Sequence, residues 1–434
     1  MSFEVSQTTQ YQIKEMSIIT NYGSLDVRNI FIELNIFDHI LQPCMSGTIM
    51  LNEAVGLSDK FKFDGSEYLR LDISKSEDDI RIEKVFHIYK QSDRKSENMT
   101  SETYILYFVS DEFVYSQQQT LNNYIEGGYE NVVDFVCSQK LKLDSKEYTI
   151  DKTNGVRKIV IPNLTPFETL IWCSKRALND KNIANFLFFE NLYRYNFLSL
   201  TTLKNNSSLM DVYFEPKNIQ NDLGREMFGV RDYEVVSQFD YLDNISSGVY
   251  SGTFIGFDTI TRVIIQQELD FKKTFTDNPM NKNYTETKDK NKGGKSNVEM
   301  IGSRRVVYPT ALNRTETQYI KENDPQSLNL QETPQYFLYQ RRAILTHLFS
   351  KRIKIALPGN FSITSGVNLN LLKHKSSEYD QEENKDRSLY GKYLVVGTRH
   401  ILSNNKHDTV VELVTDSINE EKPESSINPN RLKK

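Results

Sequence analysis

Two stretches of this chain, far apart in sequence, read as copies of one antiparallel β-unit. Gly65 followed by Leu69-Arg70-Leu71-Asp72-Ile73 recurs as Gly366 followed by Leu369-Asn370-Leu371-Leu372. The run Thr103-Tyr104-Ile105-Leu106-Tyr107-Phe108-Val109-Ser110-Asp111 recurs as Asp408-Thr409-Val410-Val411-Glu412-Leu413-Val414-Thr415-Asp416. Each of these runs follows another apolar strand, Val85 to Tyr89 and Tyr393 to Val396. An opening block, Phe37-Asp38 then Ser46-Gly47-Thr48-Ile49, finds its match in Phe239-Asp240 then Ser251-Gly252-Thr253-Phe254, ahead of a long insertion. One short strand resembles any other, but three blocks in one order describe a duplicated fold. Duplication bears on symmetry before it bears on chemistry.

The chain has 434 residues, more than one hydrophobic core serves, so two to four domains are expected. Its 24 Tyr and 24 Phe against a single Trp suit half-buried strands and large contacts. A formal net charge of −5 carries no global signal for nucleic acid. Cys44, Cys137 and Cys173 are far apart and form no C-x-x-C pair, which argues against a disulfide framework and for a reducing compartment. Met1 to Thr20 lacks a secretory pattern, and no apolar run approaches the roughly 18 residues that span a bilayer. Synthesis and folding in a cytoplasm, without stable membrane insertion, follow as expectations.

Along the chain the period changes twice. Residues 1–115 alternate apolar and polar positions, as in Ile30 to Ile36, and read as an antiparallel β-domain in which Lys90 to Ser101 is a polar hairpin loop. Residues 116–205 read as a small α+β domain. Within it, Asn131 precedes a short helix with Val132, Phe135 and Val136 on one face. Thr165-Pro166-Phe167-Glu168 starts a second helix, running to about Leu178, with the spacing of a capping box. Strands Phe186 to Glu190 and Tyr195 to Leu200 follow. Residues 206–276 and 334–419 form the second β-domain, interrupted by a polar insertion at 277–333. That insertion includes the loop Lys282 to Lys295, expected to be mobile. Thr333-Pro334 opens another helix, Lys373 to Ser388 is a charged hairpin tip, and 420–434 is a flexible tail. The fold class is therefore mainly β with α+β.

No catalytic constellation is visible. His39, His87, His347, His374, His400 and His407 form no H-E-x-x-H or H-x-x-x-H pair, and His400 and His407 flank a turn. Acidic pairs such as Asp78-Asp79 and Glu382-Glu383 lie in polar loops. G-x-S-x-G is absent, and Gly293-Gly294 lacks a phosphate-binding frame. The lysines at 282, 288, 290, 292 and 295, with Arg304-Arg305, are diluted by Glu286, Asp289 and Glu299 and read as a solvated linker. Tyr193-Arg194-Tyr195 reads as a hairpin turn rather than a base-stacking platform. No catalytic, cofactor-binding or metal residue is assigned, and the chain is expected not to be an enzyme.

The run Pro166-Phe167-Glu168 with Leu170 through Ala177, then Phe188-Phe189-Glu190-Asn191 and Tyr195-Asn196-Phe197, resembles the central domain of the baseplate hub of contractile-tailed bacteriophages. The closing run Gly391 to His400, ending in Glu412 to Ser417, is similar to that hub's final tube-domain strands. The likeness covers about residues 13 to 418 through aromatic and glycine positions, and the 277–333 insertion departs from the family's short form. The resemblance implies a homotrimer whose two barrel-like tube domains per chain build a pseudo-sixfold ring. It implies a trimeric spike below, a hexameric tail tube or tube initiator above, neighbouring wedge proteins, and DNA passing through the channel unbound. It places the protein in the virion, assembled in the host cytoplasm. The related spike of type VI secretion systems shares the architecture but would add an OB-fold and β-helix beyond residue 434. A carbohydrate-binding β-sandwich and a peptidoglycan hydrolase are the alternatives from other classes.

Overall fold

The structure is a computed structural model. It describes residues 11–418 except 55, 57–62, 76–80, 99–100, 215–228, 250, 259–263, 271–279, 282, 285–303, 311–337, 339, 374–388 and 404–405. The loop Lys282 to Lys295 (apart from Asn283–Tyr284), the helix start at Thr333-Pro334, the hairpin tip beyond Lys373 and the tail beyond Ile418 fall outside the described residues.

The first unit holds β1 (Gln12–Thr20), β2 (Gly23–Asp26), β3 (Phe31–His39), β4 (Ser46–Glu53), β5 (Tyr68–Ser74), β6 (Arg81–Asn98) and β7 (Ser101–Ser110). Next come α1 (Asp111–Gln117), β8 (Tyr124–Gly127), α2 (Tyr129–Phe135), β9 (Tyr148–Ile150), β10 (Arg157–Val160), α3 (Pro166–Arg176), β11 (Phe186–Glu190), β12 (Tyr195–Ser199) and α4 (Leu200–Asn205). The second unit begins with β13 (Ser208–Tyr213), β14 (Asp232–Ser237) and α5 (Tyr241–Ser246). After these come β15 (Ser251–Asp258), β16 (Ile264–Asp270), β17 (Asn283–Tyr284), β18 (Arg304–Thr310) and α6 (Arg341–Leu348). It closes with β19 (Arg352–Pro358), β20 (Asn368–Leu372), β21 (Gly391–Ser403), β22 (Lys406–Val414) and β23 (Ser417–Ile418). The protein is mainly β.

Thirteen strands form one sheet, and its order displays the duplication. The first unit runs β3-β4-β7-β6-β5 and the second runs β14-β19-β22-β21-β20, with the same order along the chain. A β-bulge marks the same place in both copies. It separates Ile88 from Lys90 on β6 opposite Phe108 and Tyr107, and Val395 from Gly397 on β21 opposite Leu413 and Glu412. Bulges bend a strand at a set point, so a shared one fixes the alignment of the two copies. Buried side chains then coincide: Phe86 with Tyr393, Ile88 with Val395, Leu71 with Leu371, Leu106 with Val411. The copies diverge at the end of the sheet, where β1 runs antiparallel to β5 but β13 runs parallel to β20.

The opening block of the sequence repeat is corrected by this alignment. Ser251–Phe254 lies in β15, in a separate sheet of order β16-β15-β18. The partner-matched equivalent of Ser46–Ile49 is Arg352–Ile355, which faces β22 as β4 faces β7. Asp38 is buried in a strand, whereas Asp240 caps α5 by accepting from the Asp243 N–H at 2.9 Å. Alternating small and apolar residues suit any half-buried strand, and only the pairing partner distinguishes one from another. Lys90 to Ser101 is also not a loop through most of its length. β6 and β7 extend as a paired ribbon, with Lys95 opposite Thr103 and Ser96 opposite Glu102. Its polarity reflects exposure, since Asp93 to Ser96 are all exposed.

The central segment folds as its local signals dictate. α3 starts in a complete capping box, Thr165 accepting from the Glu168 N–H and Glu168 accepting from the Thr165 N–H. α2 continues into a π-helical turn, Val136–Lys140. β11 and β12 are buried at every position because both faces are covered. Phe186, Phe188, Tyr195 and Phe197 pack under α3, while Leu187, Phe189 and Leu198 join a core with Ala343, Ile344 and Leu348 of α6. A sheet covered on both faces reads as a continuous apolar run.

Gly47 occupies a position where a Cβ would overlap the Phe108 ring and the Asn35 carbonyl. We expect Gly47→Ala to destabilise the chain by about 2–4 kcal/mol, read as a lowered urea midpoint at unchanged m-value.

Candidate functional site

The described residues present a junction rather than a catalytic pocket. β21 belongs to the second unit, yet its distal half pairs antiparallel with β3 of the first, from Gly397 opposite His39 to Leu402 opposite Leu34. This seam makes one sheet of two units. At its centre Asp38, buried on β3, accepts from the hydroxyl of Thr398 opposite it and from the hydroxyl of Thr364 in the loop after β19. The Ser365 N–H adds a third donor, at 3.3 Å from each carboxylate oxygen. Arg399 donates through Nε to Asn35 Oδ1 at 2.8 Å and reaches Glu33 at 3.4 Å. Burial pushes the Asp38 carboxyl up to about 6, and hydrogen bonds from Thr364, Thr398 and Ser365 pull it partway back.

A second anchor joins the central segment to the first unit. Glu190, buried at the end of β11, accepts from Lys84 Nζ at 2.6 Å, from the Met45 N–H at 2.8 Å and from the Ser110 hydroxyl. It lies in a cleft of about 410 Å³ that also includes Arg81, Glu112, Glu147 and Arg194. The second unit has its own anchor. Asp416 pairs with Lys204 of α4 and accepts from the Met280 N–H at 3.0 Å.

No family model matches the sequence, and no curated protein matches it. Solved structures do. A tail protein from Neisseria meningitidis MC58 superposes with a TM-score of 0.54 at 11% identity, covering 94% of this chain and 97% of that one. The 43 kDa tail protein of prophage MuSo2 from Shewanella oneidensis gives 0.54 at 8% identity, covering 93% and 99%. The chain shares the fold of these tail proteins. The correspondence runs nearly end to end on both sides, so the two units and the central segment are all part of the shared fold.

On this tail-protein fold the histidines behave as packing groups. His39 accepts from the Leu41 N–H at 3.0 Å, and His87 contacts the Gly65 carbonyl at 2.8 Å. His374 lies outside the described residues. His400 and His407, which the sequence placed only on either side of a turn, are buried and touch, Nδ1 of His400 lying 3.1 Å from Nε2 of His407. A carbonyl only accepts, so His400 donates from Nε2 to Ile363 O, and its Nδ1 accepts from His407. The β21–β22 register produces this contact by setting Leu402 opposite His407 and His400 opposite Thr409. The signal in the sequence was the in-strand alternation of His400, Leu402, His407 and Thr409, which puts all four on the inward face. Among the described residues no group of three or more His, Cys, Asp or Glu side chains is arranged to hold a metal. Burial pushes the Cys44 and Cys137 thiols up to about 12 and Cys173 higher still, so none is a ready thiolate. Also among the described residues, no helix is long and apolar enough to cross a membrane. Tyr193 and Arg194 form the β11–β12 turn, their N–H groups donating to Asn191 Oδ1 at 3.0 Å.

Burial holds His347 and His400 down at about 4, and His407 lies well below its ordinary value through burial, with the His400 and Lys75 charges adding to it. The unfolded chain therefore binds more protons than the folded one from about pH 6.5 down to about 4, and stability is lost as pH falls through that window. Asp38 works in the opposite sense, since its raised folded value favours the folded state as pH falls below about 6. The histidines outnumber it, so the urea midpoint should fall between pH 7 and 4. His400 alone contributes on the order of 3 kcal/mol. His407→Gln should flatten the profile, and an unchanged profile would contradict this assignment.

Proposed function

We propose that this chain is a structural hub of a contractile phage tail baseplate, a homotrimer that forms a pseudo-sixfold ring around the DNA channel. The supporting observation is the duplicated unit joined edge to edge by the β3–β21 seam. Two equivalent units per chain, set around a threefold axis, offer six similar positions on one face and three identical sites on the other. Such a ring adapts a hexameric tail tube above to a trimeric spike below. The central segment and the β15–β16–β18 sheet lie off the main sheet and are suited to meeting neighbouring wedge proteins. DNA passes through without specific contact, in keeping with a net charge of −5. The work of the protein is mechanical, and no residue is assigned a catalytic role.

The test is native mass by light scattering or native mass spectrometry at micromolar concentration. A species near 3 × 50.5 = 151.5 kDa, with six similar lobes around a channel in particle averages, is the expected result. A monomer across all buffers, or a closed ring of any other number, overturns the proposal.

A further inference from the structure

The path β14-β19-β22-β21-β3-β4-β7-β6 ends in two edges that meet no other strand among the described residues. One is β14, which pairs only with β19. The other is the distal half of β6. β5 covers β6 from Arg81 to His87, and the Ile88 N–H closes that contact on the Glu67 carbonyl at 2.8 Å. The second copy shows what belongs there. β20 covers β21 only as far as Leu394, the Val395 N–H closes on the Val367 carbonyl at 2.8 Å, and β3 takes over from Gly397. Ile88 and Val395 hold the same position relative to the shared bulge, so the second unit carries the docked form of an edge that meets no strand of the first unit among the described residues.

We infer that β14 of one copy adds antiparallel to the distal half of β6 of the next copy, in the register that β3 adopts on β21, and that this seam is salt-labile whereas the seam within the chain, held by a buried carboxylate, is not. Such a seam rests on the ring proposed above. Transferring the register through the shared partners puts Ser92 where Arg399 stands and Ser237 where Phe37 stands, so these two serines face each other. By the same transfer Lys95 stands for Ile401 and Glu234 for Asn35, so Lys95 faces Glu234. Opposite charges directly across an antiparallel pair attract.

The two edges are complementary in charge. Residues 90–96 of β6 carry Lys90 and Lys95 against Asp93, Arg94 being paired with Glu102 of β7 at 2.8 Å, while β14 carries Asp232 and Glu234. Tyr233 and Val235 on β14 stay 46% and 38% exposed in the single chain, apolar surface that a neighbouring strand would cover. The seam within the chain has one exposed ion pair, Arg399 with Glu33, but is centred on a buried carboxylate bound by neutral donors, a contact that ordinary salt does not reach. Exposed charges also keep single edges from pairing with unrelated strands before assembly.

The experiment measures the mass of the full chain from about 0.05 M to about 1 M NaCl, over which the screening length falls to about 3 Å. Trimer at low salt, with an association constant that drops at least tenfold at high salt, is expected. The double variant Ser92→Cys and Ser237→Cys should give oxidised dimer and trimer on a non-reducing gel. Glu234→Lys should abolish the trimer at low salt with an unchanged circular dichroism spectrum, and Lys95→Glu in the same chain should restore it. A trimer that ignores salt, forms no cross-link and tolerates Glu234→Lys overturns this seam while leaving the ring standing. Absence of a trimer in every buffer brings down the ring and the seam together.

Discussion

A carboxylate buried in the middle of a sheet holds the two halves of this protein together. Asp38 sits on a strand of the first unit, and all the donors it accepts from belong to the second. Removing one partner of a buried charged group leaves it unsatisfied, which costs more than the bond itself contributes. The two units therefore cannot separate without exposing or orphaning that group, and the paired backbones of β3 and β21 would have to part with it. Sliding the seam by one residue would turn Thr398 away from Asp38 and point the apolar residues of β21 outward. The register between the two units follows from this junction.

The central segment reinforces the same arrangement from one side. β11 and β12 turn Phe186, Phe188, Tyr195 and Phe197 toward α3 and Leu187, Phe189 and Leu198 toward α6, so they couple two cores. Glu190 then extends from that sheet to Lys84, Met45 and Ser110 of the first unit. Neither β-unit can tilt relative to the central segment without breaking a buried ion pair or a hydrophobic layer.

Parts of this arrangement are legible in the amino-acid sequence. The Thr165-Pro166-Phe167-Glu168 start and the β11 and β12 strands follow from local rules, and the structure has them where those rules place them. The repeats at Leu69 and Thr103 are also readable, because buried alternation survives in both copies. Other features are beyond that reach. The Ser46 block matches the wrong strand, because β15 carries the same alternation in a different sheet. The polar run after Lys90 reads as a loop, yet it continues as a strand paired with β7. The contact between His400 and His407 depends on the β21–β22 register, which alternation alone does not fix.

Periodicity, caps and turn residues act within a few positions of one another, and they are enough to set the mainly β class and to reveal a duplicated unit. Which strand is the counterpart of which, the joining of the two units in one sheet and the burial of Asp38 at their junction are settled by long-range pairing. Those outcomes depend on hydrogen-bond partners more than 300 residues apart, as with Asp38 and Thr364 at a separation of 326, and a distant partner leaves no trace in the local pattern. Identical alternation permits many pairings, and the one adopted is selected by the side chains that must be satisfied once water is excluded.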